Sequence, residues 1–213
     1  MKRLFGNQES YQAIFVIILF LAYTIFVPTM SLSWPIKLVI DLCLLVFVVY
    51  VYRDDFKNAL RKTKKHFGKF IGIVFLFWLI SSVATALINM GIKAVFDIMP
   101  TNNEAQLQML KSTPAYLLFS MLIFSPLVEE LSLTKSFRVI LKNKALYLIL
   151  SSFVCGFLYV AFSSNTVSYV FLISYFIQAF IWALAYLKSD NILVPVSIHL
   201  LQNILVLIGY IGL

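Results

Sequence analysis

The sequence is poor in charged residues, which make up only 12% of its 213 positions. Soluble domains usually contain about 25% charged and about 45–50% apolar residues. Here 62% of the residues are apolar. The shortage of charge therefore excludes an ordinary soluble domain and predicts an all-α, polytopic transmembrane helix bundle.

Cysteine and histidine are also scarce, with two of each. Cys43 and Cys155 lie in apolar runs without an evident partner, so we expect packing residues and no disulfide framework. His66 lies in a basic segment, where it is solvated or contacts anionic lipid through its neighbours. Only His199 lies in an apolar run, whereas catalytic zinc usually takes three protein ligands. We therefore expect no metal ion and no other cofactor.

Seven apolar runs are long enough to cross about 30 Å of hydrocarbon, which takes roughly 17–25 residues. They are Tyr11–Met30, Trp34–Tyr52, Phe70–Asn89, a run beginning near Ala115, Ala145–Phe162, Ser168–Leu187 and Asn191–Ile211. The first run lacks a small-residue cleavage site, which favours a retained helix over a signal peptide. Thr101 and Glu104 have the spacing of a capping box and predict a short amphipathic helix on the membrane surface.

The chain divides by these features into two expected parts. Residues 1–114 supply N-terminal transmembrane helices and a basic cytoplasmic loop at 53–69, and residues 115–213 form a core that carries the intramembrane polar groups. The charge density of the loop excludes burial and predicts an aqueous segment.

The positions of the positive charges predict the orientation of the spans. A net charge of +8 would suggest nucleic-acid binding in a soluble protein, but these charges lie between the spans. With the N-terminus inside, every lysine and arginine except Lys37, Lys93 and Lys111 lies on the cytoplasmic side. The positive-inside rule therefore predicts an integral membrane protein with its N-terminus in and its C-terminus out, and no nucleic-acid partner.

Two adjacent acids, Glu129 and Glu130, lie inside the fourth span. A carboxylate in hydrocarbon costs at least ~2.5–3.5 kcal/mol on insertion scales, so the pair predicts a functional site unless the span is short. Pro126 lacks an N–H group, which frees a carbonyl one turn earlier, near Leu122. Asp41 in the second span allows two interpretations, an interfacial acid or part of a proton or cation relay.

His199 and Asn203 are four residues apart in the seventh span and therefore share one helix face. At ~1.5 Å per residue, His199 lies ~12 Å from Asn191 and Glu129 lies ~13 Å from Arg138, so the two pairs can meet at one depth. A carboxylate with a histidine can take a proton from water, and histidine and asparagine can donate hydrogen bonds to an oxyanion. The set indicates hydrolysis, with helix packing by the histidine as the alternative.

Three motifs contain these residues. The run Ser125–Glu130 reads Ser-Pro-Leu-Val-Glu-Glu and looks like the pattern Ala-Pro-x-x-Glu-Glu-x-x-x-Arg, with Thr134 where that pattern has its arginine. The run Ser151–Tyr159 has the spacing Ser-Ser-x-x-Phe-x-x-x-His, with Cys155 and the final tyrosine replacing the phenylalanine and histidine. The third motif, His-x-x-x-Asn, is intact at 199–203.

These motifs resemble the CAAX protease and bacteriocin-processing (CPBP/Abi) family of intramembrane endopeptidases, which includes the type II CAAX prenyl endopeptidases. The resemblance implies that Glu129 is the base that activates water, that Glu130 belongs to the same catalytic set, and that His199 and Asn203 hold the oxyanion. It implies a peptide bond of a membrane-associated or prenylated-type peptide as the substrate, and a bacterial plasma membrane as the location.

The two altered positions place the activity in question. Tyr159 is a poor substitute for histidine because a neutral phenol donates rather than accepts a proton. Thr134 lacks the fixed charge of arginine, which leaves Glu130 without a counter-ion. Tyr159 and Thr134 are compatible with a role as accessory residues of an active protease. They are also compatible with an impaired pseudo-protease that binds its peptide in bacteriocin self-immunity or regulation. A small transporter is a third possibility, but the inverted repeats and paired broken helices typical of transporters are not evident. In each case the expected partners are membrane lipid and a peptide.

Overall fold

A computed structural model describes residues 8–98, 108–161 and 166–211 of the chain. Its helices are α1 Gln8–Thr29, α2 Trp34–Val51, α3 Arg53–Lys65, α4 Phe67–Phe96, α5 Pro114–Ile140, α6 Lys144–Ala161, α7 Leu172–Ser189 and α8 Leu193–Ile211. A 3₁₀ turn, Thr166–Phe171, precedes α7. These residues contain no β-strand.

All of these helices except α3 are long and apolar enough to cross a membrane. The prediction of an all-α bundle with seven spans is therefore confirmed, and the chain is an integral membrane protein. The orientation of the termini stays a prediction. The predicted capping box at Thr101 and Glu104 lies outside the described residues.

Local sequence explains several helix ends. Proline stands in the first turn of α2 and of α5, where the missing N–H group has no helical partner to lose. At the other end, α4 and α7 stop at Asp97 and Asp190, whose φ angles are 50° and 47°. Aspartate tolerates this left-handed conformation better than most residues, because its short polar side chain can bond locally.

The basic segment predicted as a loop is the helix α3. Asp54 and Asp55 lie in its first turn and Lys62, Lys64 and Lys65 in its last, an arrangement that complements the helix dipole. Its charge density indicated exposure correctly, but exposure does not exclude helix. His66 follows directly after α3 and is exposed. Its surroundings therefore differ from those of the polar groups within the spans.

The helix α5 is the centre of the bundle. Of its most apolar stretch, 56% is buried, against at most 39% in any other span. It contacts α1, α2, α6 and α8. Because lipid tails are as apolar as leucine, such contacts are stabilised by close packing and interhelical hydrogen bonds. The core that joins α5 to the first two helices contains Val16, Phe20, Leu44, Val48, Val128 and Leu131.

One glycine permits a close helix contact. A β-carbon at Gly156 of α6 would lie 2.9 Å from the backbone nitrogen of Phe176 in α7. That distance is too short for any larger residue, so Gly156 lets the two backbones approach each other.

The division of the chain at residue 114 stays a prediction.

Candidate active site

The backbone of α5 departs from α-helical geometry on both sides of the acid pair. Two π-helical turns, Ser120–Phe124 and Glu130–Lys135, flank a short α-helical segment, Ser125–Glu129. Such turns are rare and are frequent at functional sites. They shift the register of the side chains, so the faces expected from a regular helix do not apply here.

Pro126 explains which carbonyl is freed. In the first π turn the N–H group of Ser125 bonds the carbonyl of Ser120, five residues earlier. In that register the partner of the Met121 carbonyl would be residue 126, and proline has no N–H to donate. The side-chain amide of Asn203 donates to this carbonyl instead, at 2.7 Å. The freed carbonyl is therefore that of Met121, next to Leu122, near which α-helical spacing had placed it.

Glu130 is the buried member of the acid pair, with 4% of its surface exposed. Its Oε1 atom lies 3.1 Å from Nδ1 of His199, and its Oε2 atom accepts a hydrogen bond of 2.7 Å from the Thr134 hydroxyl. The arginine position of the first motif thus does contact the acid, through a neutral donor. Glu130 is partnered by a hydroxyl and an imidazole in place of the guanidinium.

Glu129 is held by two hydroxyl groups. Ser125 donates to its Oε1 atom at 2.6 Å, and Tyr159 donates to its Oε2 atom at 2.7 Å. The residue at the histidine position of the second motif therefore contacts the acid, as the resemblance to the family implied. The Tyr159 ring also stacks on Tyr175, with the ring centroids 4.9 Å apart. That packing fixes the direction of the phenol.

His199 connects the two carboxylates. Its Nε2 atom lies 3.2 Å from the Ser125 hydroxyl, while its Nδ1 atom faces Glu130. The ring is buried and packs on Trp182, with centroids 4.6 Å apart. The matching depths predicted from the sequence do bring the acid pair and the histidine together. Asn203 lies one turn away on the same helix and is bonded to the Met121 carbonyl, not to this network.

Two cavities adjoin the network. One, of about 320 Å³, is lined by His199 and Asn203 among other polar residues. The other, of about 290 Å³, is lined by Ser125 and Glu129 together with apolar side chains of α1 and α5. Tyr159 and Cys155 line both cavities and stand between them. The network therefore borders a cavity on each side of these two residues.

A second carboxylate, Asp41, is also buried. It accepts hydrogen bonds from the Tyr23 hydroxyl at 2.6 Å and from the Tyr116 hydroxyl at 2.9 Å. Helix packing encloses the side chain, and the choice between an interfacial acid and part of a proton or cation relay stays a prediction. The partners stand 18 and 75 residues away in the chain, and no local pattern marks them.

Sequence reasoning missed two residues of the site. Ser125 was noted only as the first residue of the first motif, although it precedes Glu129 by four residues and that spacing places the two on one helix face. Trp182 has no signal in the sequence, because its contact with His199 depends on how α7 packs against α8. Within the described residues, no group of three histidine, cysteine or acidic side chains is placed to hold a metal ion.

The comparison with protein families bears on residues 111–205. They match the family model "Type II CAAX prenyl endopeptidase Rce1-like". The resemblance identified from the motifs is thus confirmed for this part of the chain, which includes α5, α6, α7 and α8 as far as Leu205. No curated protein and no solved structure matched the chain.

Proposed function

We propose that the protein is an intramembrane endopeptidase that hydrolyses a peptide bond of a membrane-associated peptide at the network around Glu129 and His199. The observation that carries this proposal is the buried contact between Glu130 and His199 with Ser125 and Glu129 beside it. The match of residues 111–205 to a family of CAAX-type proteases supports the same reaction.

The roles follow from the geometry. Glu129 lines a cavity and carries two hydrogen-bond donors, so a water that displaces one of them would meet a carboxylate able to take its proton. Glu130 orients the His199 ring through Nδ1. The imidazole and the Asn203 amide are the donors available to an oxyanion, and Asn203 must leave the Met121 carbonyl to act.

A pseudo-protease that binds a peptide without cleaving it is the second candidate. The hydrogen bonds within the site favour this candidate. Both carboxylate oxygens of Glu129 accept hydrogen bonds from protein hydroxyls, and the Asn203 amide donates to a backbone carbonyl. Such a protein would act in bacteriocin self-immunity or in regulation, with the cavities kept for binding. For either candidate we propose a bacterial plasma membrane, with lipid and a membrane peptide as partners.

Purified protein in lipid, supplied with hydrophobic membrane peptides, separates the two candidates. We expect Glu129→Ala and His199→Ala each to lower cleavage by about 10²–10⁴, the usual contribution of general acid–base groups. Ser132→Ala is the matched control, since this serine is on the same helix, fully buried and without a hydrogen-bond partner among the described residues. Peptide binding that is equal in the wild type and in a Glu129→Ala, His199→Ala double variant, with no cleavage by either, would favour the pseudo-protease.

A further inference from the structure

The cavity of about 320 Å³ beside His199 is polar but carries little charge. The described residues that line it include no aspartate, glutamate, lysine or arginine. Four of them are amides, namely Asn89 of α4, Gln178 of α7, and Gln202 and Asn203 of α8. All four lie within membrane spans, where a polar side chain costs free energy unless it finds a hydrogen-bond partner. The proposed hydrolysis uses Asn203 and gives no role to the other three.

Two of these amides face each other across the cavity. Ser81 and Asn89 are eight residues apart on α4, which places them on one side of the helix. That side meets α7, because Nε1 of Trp182 donates to the Ser81 hydroxyl at 3.2 Å. Gln178 precedes Trp182 by four residues and shares its face of α7. Asn89 and Gln178 therefore line the cavity from opposing helices.

Helix packing leaves polar atoms of the amides available to a ligand. The Oδ1 atom of Asn89 is buried and has no hydrogen-bond partner among the described residues. The Oε1 atom of Gln202 accepts a hydrogen bond of 2.9 Å from the Ser82 hydroxyl, so its NH₂ group is the part that another molecule can meet. The cavity thus offers an acceptor and donors together. Another carboxamide, which also has both, complements that pattern.

We propose that this cavity selects the substrate by binding an asparagine or glutamine side chain next to the peptide bond that is cut, with Asn89 and Gln178 as the residues that determine this specificity. The inference rests on the proposed peptidase function and names its substrate class. His199 and Asn203 line the same cavity. A peptide bond held at these two residues therefore has a neighbouring side chain within the reach of the amides.

The lining also determines which side chains are rejected. A charged side chain would lose its water on entry and find no carboxylate, lysine or arginine in the lining to pair with. A leucine side chain would fill the space but leave the acceptor of Asn89 unpaired. Sites built to hydrogen-bond a substrate group discriminate against analogues that lack it.

The cavity of about 290 Å³ differs in chemistry. Its lining includes the apolar side chains of Phe20, Phe124 and Leu158. Tyr159 and Cys155 separate the two cavities. We therefore expect a carboxamide on one side of the cleaved bond and an apolar residue on the other, which describes a membrane peptide with one polar residue in an apolar segment.

Peptide binding tests this specificity without depending on cleavage. The full chain carrying Glu129→Ala, in detergent micelles, is titrated with four peptides. Each is a leucine–alanine membrane segment with one central guest residue, which is glutamine, leucine, lysine or glutamate. We expect the glutamine peptide to bind about tenfold more tightly than the leucine peptide. The lysine and glutamate peptides should bind at least about 100-fold more weakly than the glutamine peptide, because their charges stay unpaired.

Substitutions at position 178 test whether this residue sets the preference. Gln178→Met keeps the length of the side chain but removes both hydrogen-bonding groups, so the advantage of glutamine over leucine should fall to about threefold or less. Gln178→Glu supplies a counter-ion and should improve binding of the lysine peptide at least about tenfold. Ile173→Met, at a side chain of α7 that is 55% exposed, is the matched control and should keep the original order of affinities. Each result is a ratio between peptides bound by one variant, which a loss of folded protein does not change.

Equal binding of the glutamine and leucine peptides, or a glutamine preference that Gln178→Met leaves intact, would overturn the proposal. Cleavage by the wild type separates it from the proposed function. If the wild type cleaves all four peptides at similar rates, the peptidase stands and the specificity fails. If the glutamine preference depends on Gln178 while the wild type cleaves no peptide, the binding site stands and the peptidase fails.

Discussion

Asp41 and Glu130 are both carboxylates buried within membrane spans, at 0% and 4% exposure, yet their surroundings differ in kind. Asp41 accepts hydrogen bonds from two phenols, Tyr23 and Tyr116. Glu130 faces an imidazole, which in turn contacts a hydroxyl that lines a cavity. Burial within the membrane costs free energy for both acids. Burial alone therefore does not mark a reactive group.

The difference lies in what each acid can exchange. The phenols around Asp41 are fixed donors, and they join α1 and α5 to α2. His199 next to Glu130 has two ring nitrogens, so the imidazole can donate a hydrogen bond on one side and accept one on the other. We interpret the Asp41 cluster, consisting of Asp41, Tyr23 and Tyr116, as a structural lock and the Glu130 network as the reactive site. Four experiments test whether the two acids differ in this way.

The largest expected effect is on cysteine labelling, which should occur from one side of the membrane and not from the other. Tyr116 precedes Glu129 by 13 positions on α5, which corresponds to ~20 Å of depth. With the N-terminus inside, the Asp41 cluster lies in the outer half of the bilayer. In a variant without Cys43 and Cys155, we expect Asn165→Cys to react with an impermeant thiol reagent only from outside.

Lys57→Cys, on the exposed surface of α3, is the opposite control and should react only from inside. The reverse pattern would invert the topology derived from the positive charges and would place the Asp41 cluster on the cytoplasmic side.

Matched carboxylate-to-amide changes compare the two acids directly. Glu130→Gln keeps the size of the side chain but removes the charge that faces Nδ1 of His199, so we expect peptide cleavage to fall on the order of 10²–10⁴. Asp41→Asn should leave the cleavage rate within about one order of magnitude. Equal losses in initial-rate assays would show that the distinction between lock and site is false.

Restoring the two altered motif positions should strengthen the reactive site. We expect Tyr159→His combined with Thr134→Arg to raise the rate of cleavage about tenfold or more, because a second base is regained near Glu129. The arginine must pair with Glu130, since position 134 is buried and its hydroxyl already contacts that acid. Tyr159→Phe, which loses the donor and gains no base, is the control. A double variant that folds and cleaves no faster than the wild type contradicts the expectation.

The smallest effect is on stability. Asp41→Ala leaves the hydroxyls of Tyr23 and Tyr116 without their acceptor, which should lower the free energy of unfolding by about 1–3 kcal/mol. Denaturant titration in micelles measures the change. Ser132→Ala removes a hydroxyl that has no partner among the described residues and should cost nothing. If Asp41→Ala does not lower the free energy of unfolding, the structural interpretation of Asp41 is wrong.

Hydropathy alone predicted the seven spans, because crossing hydrocarbon requires a length of apolar sequence that few other structures need. It set their ends less well: the third span, expected at Phe70–Asn89, is the helix Phe67–Phe96. It also said nothing of α3, since solvent exposure is compatible with helix and with coil.

The site was predictable where it depends on depth and helix spacing, as for Glu130 and His199. It was not predictable where it depends on irregular backbone. The first π turn of α5 directly precedes the segment with Pro126, and the carbonyl of Met121 in that turn accepts a hydrogen bond from a distant amide on Asn203, a partner that no pattern within α5 reports. The same holds for Asp41, whose phenols come from two other helices.

The central claim is hydrolysis of a peptide bond at the network around Glu129 and His199. Its most direct test is incubation of the purified protein with a membrane peptide in ¹⁸O-labelled water, followed by mass spectrometry of the fragments. We predict two fragments with ¹⁸O in the new carboxylate, formed by the wild type and lost in Glu129→Gln. Peptide recovered intact after binding to the wild type, or fragments formed equally by Glu129→Gln, would contradict the account.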